Sequence, residues 1–378
     1  MDNMKIVADN KIPYLKSVLE PYAEVVYKPG PEISNGDVRD ADALIIRTRT
    51  KCDEELLKGS HVKFIATATI GFDHIDREYC RKNNISWINA PGCNASSVQQ
   101  YIASVLATIG YSVSSIQEKP VIGIVGVGNV GSKVEKLARI LGMDVLLNDP
   151  PRERAEGGTQ WSTFREIQEN ADIITFHVPL ISEGRDKTYH MAGREVLDDI
   201  HQDTVLINTS RGEVIDNTAL KQALNNGQIK TAILDVWENE PEIDRELLNL
   251  VKLGTPHIAG YSRDGKANGT AQSVRAVSRF FGIGLDDWYP GDVEPPQNPV
   301  IQLSDQDIRP REAVYNAIKA TYDVSEDDER LRRNPEEFEK QRGNYPVRRE
   351  FNAYTLSTNS NLSDHTWQKL QALGFHSP

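Results

Sequence analysis

The feature that most constrains the fold is a glycine-rich turn near the middle of the chain. An apolar run, Val121–Val125, leads directly into Gly126-Val-Gly128-Asn-Val-Gly131, and a helical pattern over Ser132–Leu141 follows. Between a strand and a helix, the first glycine permits a tight turn, the second lets a pyrophosphate approach the backbone, and the third lets the helix pack on the sheet. The start of that helix attracts phosphate. The motif predicts a dinucleotide-binding unit; the alternative is a tight turn without a ligand.

An acidic residue beyond the turn indicates which dinucleotide is bound. The next predicted strand, Asp144–Asn148, is followed by Asp149, which lies 18 residues after Gly131. A ribose-binding carboxylate is expected about 20 residues after the glycines. Such a carboxylate accepts hydrogen bonds from both ribose hydroxyls and repels a 2′-phosphate, so the pattern favours NAD. Arg152 and Arg154 follow closely and keep NADP as the alternative.

Short apolar runs alternate with helical patterns in two successive series. Continuously apolar strands separated by helices are typical of parallel sheets covered on both faces. We therefore predict an α/β protein with two doubly wound lobes and a cleft between them. The predicted strands are Lys5–Ala8, Ala43–Arg47, Lys63–Thr67, Ile85–Ile88, Val121–Val125, Asp144–Asn148, Ile173–Phe176, Val205–Asn208 and Ile233–Val236. The predicted helices include Pro13–Leu19, Ile75–Lys82, Ala95 to about Tyr111, and Trp367–Leu373. A linker is predicted over Asp286–Asn298 and a loop over Leu356–Leu362.

Composition excludes several classes of protein. The chain has 378 residues, of which 39% are hydrophobic and 26% charged, as in ordinary globular proteins. No apolar run approaches the ~20 residues that span a bilayer, and residues 1–10 lack signal-peptide features. The three cysteines show no CxxC spacing, so neither a disulfide framework nor a cysteine-rich zinc site is expected. A net charge of −12 argues against nucleic-acid and membrane partners. We expect a cytoplasmic protein without a metal.

Three further segments carry residues suited to oxidation of a 2-hydroxy acid. Arg211 follows a predicted strand, where ligand sites of open α/β sheets lie, and its guanidinium can bind a carboxylate with two hydrogen bonds. The base that takes the hydroxyl proton is best supplied by a histidine, the residue type that titrates near neutral pH, and His257 is the candidate. A carboxylate that orients the imidazole would come from Glu240 or Glu238, between which spacing does not decide. The competing interpretations are a surface ion pair for Arg211 and an ordinary surface or core histidine.

These segments resemble the signatures of a known family. Gly126–Gly131, Thr209–Gly212, Asp235–Pro241 and Pro256–Gly260 are similar, in order and spacing, to motifs of the D-isomer-specific 2-hydroxyacid dehydrogenases. The resemblance covers about residues 1–285. It implies that Arg211, Glu240 and His257 are the catalytic residues, because the family's glutamate directly precedes the proline.

The resemblance also implies a domain organisation. Residues 1–93 and 258–285 would form a flavodoxin-like substrate domain, and residues 94–257 a Rossmann-type NAD domain. Residues 286–378 would form a small C-terminal α+β domain that makes a homodimer.

Other stretches resemble one branch of the family over nearly the whole chain. They are Asp40–Leu44, Thr67–His74, Pro91–Asn94, Asn148–Pro151, Phe176–Pro179, Asp216–Leu220, Ile258–Ser262, Tyr322–Val324 and Tyr345–Glu350. This resemblance implies NAD-dependent oxidation of the C2 hydroxyl of 4-phospho-D-erythronate, in the route to pyridoxal 5′-phosphate. It implies substrate contacts at Thr48, Thr69 and Tyr261. The implied NAD contacts are Gly126, Gly128, Asn129, Val130, Gly131, Asp149, Ser210, Arg211, Asp235 and Gly260.

Three positions depart from the branch pattern. Thr48 stands where serine is more common, Val178 where threonine is usual, and Gln100 where glutamate is common. The residue that binds the substrate phosphate is not decided. The candidates are Arg47, Arg49, Arg348 of the partner subunit and Arg349 of the partner subunit. Alternative functions are a dehydrogenase for another 2-hydroxy acid, such as 3-phosphoglycerate, and a non-catalytic NAD-sensing protein.

Overall fold

The computed structural model describes residues 4–110, 119–303, 310–358 and 362–377. The chain forms two compact units. Unit 1 consists of Met1–Asn94 and Ser262–Glu294, and unit 2 of Ala95–Tyr261 and Pro295–Pro378. Within the described ranges, no helix combines the length and apolar character needed to cross a membrane.

Unit 1 contains a five-stranded parallel sheet. Its strands are β1 (Lys5–Asp9), β2 (Glu24–Lys28), β3 (Ala43–Ile46), β4 (Phe64–Thr67) and β5 (Ser86–Ile88), and its first helices are α1 (Asn35–Val38), α2 (Glu54–Leu57) and α3 (Arg77–Lys82). The strand order β2-β1-β3-β4-β5 is the flavodoxin-like order. All four residues of β3 are buried. Leu44 and Ile46 join one apolar cluster, while Ala43 and Ile45 join another. The continuous apolar run therefore reflects a strand covered on both faces.

The predicted helix over Pro13–Leu19 is wrong. The segment forms turns, and Tyr14 and Ser17 have left-handed backbone angles (φ +62° and +68°) that no helix accommodates. The carboxylate of Glu20 accepts hydrogen bonds from the backbone N–H groups of Ser17 and Leu19. Local hydrogen bonds of this kind compete with helix formation. The apolar spacing instead buries Leu15 and Leu19 in the core.

Unit 2 contains a six-stranded parallel sheet. Its strands are β6 (Val121–Val125), β7 (Asp144–Asn148), β8 (Ile173–Phe176), β9 (Val205–Asn208), β10 (Thr231–Leu234) and β11 (Leu253–Gly254). Its helices up to β11 are α4 (Ala95–Ile109), α5 (Asn129–Leu141), α6 (Pro150–Glu156), α7 (Phe164–Asn170), α8 (Arg194–Asp199), α9 (Asn217–Asn225) and α10 (Arg245–Leu250). The end predicted for α4, Tyr111, lies outside the described residues. The strand order β11-β10-β9-β8-β6-β7 changes direction between β6 and β8, and ligands bind at the carboxyl ends of strands at such a switch point.

The chain then returns to unit 1 as a long helix, α11 (Arg263–Phe281). Ser262 caps its start by accepting the N–H of Gly265, and Gly282, with φ +71°, ends it. A Cβ atom on Gly269 would come 2.5 Å from the carbonyl oxygen of Ala68. Only glycine lets the helix lie so close to the chain after β4.

The C-terminal segment, which we define as residues 295–378, completes unit 2. It contains a parallel strand pair, β12 (Val300–Leu303) and β13 (Thr355–Thr358), and four helices, α12 (Pro310–Thr321), α13 (Val324–Arg333), α14 (Phe338–Gly343) and α15 (Asp364–Leu373). Val314 and Ile318 of α12 share one apolar core with Ile102 and Leu106 of α4. The predicted loop over Leu356–Leu362 is a strand up to Thr358, and residues 359–361 lie outside the described residues. The predicted fold class, two parallel α/β sheets with a small C-terminal part, is confirmed.

Candidate active site

The glycine-rich turn has the geometry that a pyrophosphate requires. Gly126 has φ +88°, and a Cβ there would lie 2.7 Å from the carbonyl oxygen of His177, which follows β8. A Cβ on Gly131 would lie 2.0 Å from the carbonyl oxygen of Gly126. At Gly128, by contrast, nothing lies within 4 Å of the Cβ position. The backbone is therefore crowded at Gly126 and Gly131 and open at Gly128, directly before α5. This arrangement fits a dinucleotide phosphate.

Asp149 lies beside this turn at the end of β7. Its carboxylate accepts hydrogen bonds from the N–H of Val127, at 2.8 Å, and the N–H of Arg152, at 3.0 Å. Arg152 itself binds the carboxylate of Glu156 with two nitrogens and also donates to the carbonyl of Val127. Arg154 forms an ion pair with Asp186. Because both arginines already have acidic partners, the site fits the free ribose hydroxyls of NAD better than a 2′-phosphate.

Arg211 lies just beyond the carboxyl end of β9. The side chain of Asn208 fixes this turn, since its oxygen accepts from the N–H and hydroxyl of Ser210 and its amide donates to the carbonyl of Arg211. A Cβ on Gly212 would lie 2.0 Å from the carbonyl carbon of Trp237. The glycine thus brings the Arg211 turn against the loop after β10.

That loop carries the glutamate that binds His257. Asn239 adopts a left-handed conformation, with φ +61°. The Oε1 atom of Glu240 accepts the N–H of Trp237 at 2.9 Å, and its Oε2 atom lies 2.7 Å from Nδ1 of His257. The His257 side chain is 32% exposed. Within the described residues no hydrogen bond reaches its Nε2 atom, which leaves this nitrogen available to a ligand.

Glu238 points to a different histidine. Its Oε1 atom lies 2.6 Å from Nε2 of His190, and its Oε2 atom accepts the N–H of Asn217. Nδ1 of His190 lies 3.7 Å from a carboxylate oxygen of Asp216. Spacing alone left Glu238 and Glu240 as equal candidates for the partner of His257, and the structure pairs His257 with Glu240. No motif in the sequence marks His190 as a functional residue.

Asp235, directly after β10, holds the chain around His257 in place through hydrogen bonds. Its buried carboxylate accepts the hydroxyl of Thr255 at 2.6 Å and the N–H groups of Ile258 and Ala259 at 2.8 and 2.9 Å. Burial raises its pKa above the ordinary value, against the opposing effects of His257 and these hydrogen bonds. The aspartate thus positions residues 255–259, which we call the histidine loop. The contact of Asp235 with NAD stays a prediction.

Arg348 of the C-terminal segment contacts the same loop. It is 4% exposed and donates to the carbonyls of Ile258 and Ala259, to the carbonyl of Ser97 and to the side chain of Gln100. A guanidinium so buried and so fully engaged is not available to a substrate phosphate, which corrects one of the predicted alternatives. The amide of Gln100 also donates to the carbonyl of Arg349, so this departure from the branch pattern joins α4 to the C-terminal segment.

The predicted substrate residues of unit 1 lie after strand ends. β3 ends at Ile46, so Thr48 lies exposed in a turn, and strand alternation does not govern the directions of Arg47 and Arg49. Nε of Arg47 lies 3.0 Å from the buried carboxylate of Asp9. The hydroxyl of Thr69 contacts that of Thr67 at 2.8 Å.

The remaining predicted residues belong to unit 2. Asn129 and Val130 form the first turn of α5, and Val178 lies against the Cβ position of Gly126. Gly260 and Tyr261 follow the histidine loop, and the N–H of Tyr261 donates to the carbonyl of Ile258.

Comparison with known proteins identifies the family. Residues 103–259 match the model of the D-isomer specific 2-hydroxyacid dehydrogenase NAD-binding domain, and residues 293–374 match a domain of unknown function, DUF3410. A solved structure of NAD-bound 3-phosphoglycerate dehydrogenase from Entamoeba histolytica superposes with a TM-score of 0.62 and 25% identity, covering 77% of this chain and 100% of that one. The predicted Rossmann fold, NAD cofactor and oxidoreductase class are confirmed.

Two curated relatives cover nearly the whole chain. Erythronate-4-phosphate dehydrogenase of Bacteroides thetaiotaomicron is 52% identical over 93% of this chain and 99% of its own length. The protein of the same name from Porphyromonas gingivalis is 42% identical over 93% of this chain and 95% of its own length. The chain therefore belongs to the family of erythronate-4-phosphate dehydrogenases, within the D-isomer-specific 2-hydroxyacid dehydrogenases.

Proposed function

We propose that this enzyme oxidises the C2 hydroxyl of 4-phospho-D-erythronate with NAD and forms (3R)-3-hydroxy-2-oxo-4-phosphooxybutanoate, a step of pyridoxal 5′-phosphate biosynthesis. The names of the relatives support the choice of substrate. The observation that supports the chemistry is the 2.7 Å contact between Nδ1 of His257 and Glu240. It leaves Nε2 as the nitrogen that faces a ligand.

Three side chains divide the chemistry. The guanidinium of Arg211 binds the substrate carboxylate with two parallel hydrogen bonds. Nε2 of His257 removes the proton from the C2 hydroxyl while the hydride leaves C2, which converts the alcohol to a ketone. Glu240 holds the imidazole in the tautomer with Nδ1 protonated and stabilises the imidazolium that forms.

The nucleotide site is assigned to unit 2. When bound, NAD supplies the hydride acceptor. The turn from Gly126 to Gly131 would bind its pyrophosphate through backbone N–H groups, and Asp149 would accept the ribose hydroxyls. Further contacts are assigned to the backbone of Ser210 and Arg211 and to Asp235 and Gly260.

The family resemblance also supports an organisation of the chain. Residues 94–257 are assigned to NAD binding, residues 1–93 and 258–285 to the substrate domain, and residues 286–378 to dimerisation. Thr48, Thr69 and Tyr261 carry hydroxyls suited to a polyol phosphate. Cytoplasmic location is supported by the three buried cysteines, which form no disulfide with one another and fit a reducing compartment. Sedimentation equilibrium tests the homodimer, which should show twice the chain mass of 42.3 kDa.

A substrate panel tests the proposed reaction. Purified enzyme is mixed with NAD and with 4-phospho-D-erythronate, 3-phosphoglycerate or D-lactate, and NADH absorbance is followed. We expect kcat/KM to be highest for 4-phospho-D-erythronate. Turnover of 3-phosphoglycerate with none of 4-phospho-D-erythronate would reassign the substrate. NAD binding without turnover of any acid would favour a nucleotide sensor.

A further inference from the structure

Tyr261 contacts two side chains of the C-terminal segment. The ring of Tyr345 meets it edge-on, with centroids 5.8 Å apart and an interplanar angle of 88°. The guanidinium carbon of Arg342, on α14, lies 5.6 Å from the centre of the Tyr261 ring and 5.9 Å from that of Phe338. Since Tyr261 lies four residues after His257, the C-terminal segment places a cation beside the proposed catalytic loop.

Arg342 differs from Arg332 and Arg348 of the same segment in how it is hydrogen-bonded. Arg332 and Arg348 each donate from all three nitrogens to carboxylate, amide or backbone oxygens. Arg342 donates only from Nη1, to Glu339 one turn earlier, at 2.7 Å. Among the described residues its buried Nε atom has no hydrogen-bond partner, and its Nη2 atom donates to none of them. Two nitrogens of this guanidinium therefore lack an acceptor in the described part of the chain.

The environment makes this arrangement costly unless an anion binds. The Arg342 side chain is partly buried, at 19% exposed, and its Nε atom is buried without a partner among the described residues, which is destabilising for a charged group. Glu240 is the other carboxylate that acts on it electrostatically. Both oxygens of that carboxylate already accept, from Trp237 and His257. Arg342 thus has donors unpaired within the described residues and lies beside Tyr261, a proposed substrate-binding residue.

A second cation is what the substrate chemistry requires. A phosphorylated 2-hydroxy acid carries a carboxylate at one end and a phosphate at the other, and Arg211 is assigned to the carboxylate. Guanidinium groups bind phosphate strongly and with defined geometry. We propose that Arg342 binds the substrate phosphate through Nη2, above the ring of Tyr261, and is a specificity-determining residue. This assignment rests on the proposed function.

The test compares two substrates that differ only in the phosphate, 4-phospho-D-erythronate and D-erythronate. In Arg342→Gln we expect kcat/KM for the phosphorylated acid to fall about 10- to 100-fold, the value of a hydrogen bond to a charged group, mainly through KM. With D-erythronate the fall should be no more than about 5-fold, the value of a cation–π contact. Inorganic phosphate, as a competitive inhibitor, should show a correspondingly raised Ki. Arg333→Gln, at an exposed ion pair on α13, is the matched control and should change none of these values.

The outcomes separate this proposal from the reaction itself. Equal losses of kcat/KM with both acids would leave the preference for the phosphorylated acid unchanged. Arg342 would then be a structural residue, and the proposal would be overturned, as it would be if neither value changed. Wild-type activity on 3-phosphoglycerate alone would remove the proposed reaction, and the same ratio measured against D-glycerate would still test Arg342. If Arg342→Gln fails to fold, Arg342→Lys replaces it: a point charge should retain part of the preference for phosphate, and loss of turnover with both acids would again overturn the proposal.

Discussion

Two histidine–glutamate pairs lie in unit 2, and they differ in which imidazole nitrogens they occupy. Nε2 of His190 lies 2.6 Å from a carboxylate oxygen of Glu238, and Nδ1 of His190 lies 3.7 Å from one of Asp216. Acidic groups therefore face both nitrogens. His257 has Nδ1 on Glu240 at 2.7 Å, and its other nitrogen has no recorded protein partner in the described part of the chain. Both residues have left-handed backbone angles, and both glutamates also accept a backbone N–H. The two pairs are therefore similar in their contacts, and the nitrogen of His257 without a partner among the described residues is what supports the catalytic role proposed for this histidine.

Removing each imidazole tests this comparison with the largest expected effect. His257→Ala should lower kcat by about 10²- to 10⁴-fold, the usual contribution of a general base, while NAD affinity stays close to that of the wild type. His190→Ala should leave kcat within about 3-fold, because its imidazole moves no proton, and should lower the free energy of unfolding by about 1 kcal/mol. Steady-state kinetics and nucleotide fluorescence titration measure both. Equal losses of kcat would remove the distinction between the pairs.

In the proposed function His257 acts together with a cation, Arg211, that positions the substrate. Arg211→Lys should lower kcat/KM about 100-fold, because an ammonium cannot reproduce the two hydrogen bonds of a guanidinium to a carboxylate. Arg154→Lys, at an ion pair with Asp186, serves as the control and should have little effect. Near-normal kinetics of Arg211→Lys would exclude the carboxylate-binding role.

The two glutamates provide a finer test. Glu240→Gln keeps the shape but removes the charge that stabilises the imidazolium, and kcat should fall about 10- to 100-fold. Glu238→Gln should leave kcat unchanged within error and lower the melting temperature, since it weakens the hydrogen bonds to His190 and Asn217. If instead Glu238→Gln slowed turnover and Glu240→Gln did not, the pairing of His257 would have to be reassigned.

Much of unit 2 could be predicted because its signals are local in sequence. β6, β7, β8 and β9 have the predicted bounds, since each is an apolar run that ends at a turn. The carboxyl ends of neighbouring parallel strands share the edge where ligands bind, and Arg211 was placed there because it follows the predicted strand Val205–Asn208.

Contacts between distant parts of the sequence could not be predicted. Arg348 meets Ser97 and Ala259 across 251 and 89 residues, and no periodicity records such a pairing. The choice between Glu238 and Glu240 depends on the left-handed turn at Asn239, which spacing does not show. The five-residue strand β2 was missed as well.

A third histidine, His177, extends the comparison to an imidazole whose two nitrogens both contact hydroxyl groups. The His177 imidazole lies between Thr175 and Thr209, whose hydroxyls contact its two nitrogens at 3.0 and 3.3 Å. Burial lowers its pKa to about 3, whereas an unfolded histidine has a pKa of about 6.5. Below pH 6.5 the unfolded chain therefore binds a proton that the folded chain does not. The folded state should lose about 1.4 kcal/mol of stability per pH unit as pH falls from about 6.5 toward 3.

His177→Gln isolates this contribution, because glutamine can still hydrogen-bond to the two threonines and does not titrate. We expect urea denaturation to show a smaller loss of unfolding free energy between pH 6.5 and 5.5 in His177→Gln than in the wild type, by about 1 kcal/mol, because the unfolded histidine is already half protonated at pH 6.5. His201→Gln, at an exposed position, should keep the wild-type dependence on pH. If His177→Gln also kept it, the folded protein would be able to protonate His177. The contacts of the ring nitrogens would then not explain how the three histidines differ in protonation.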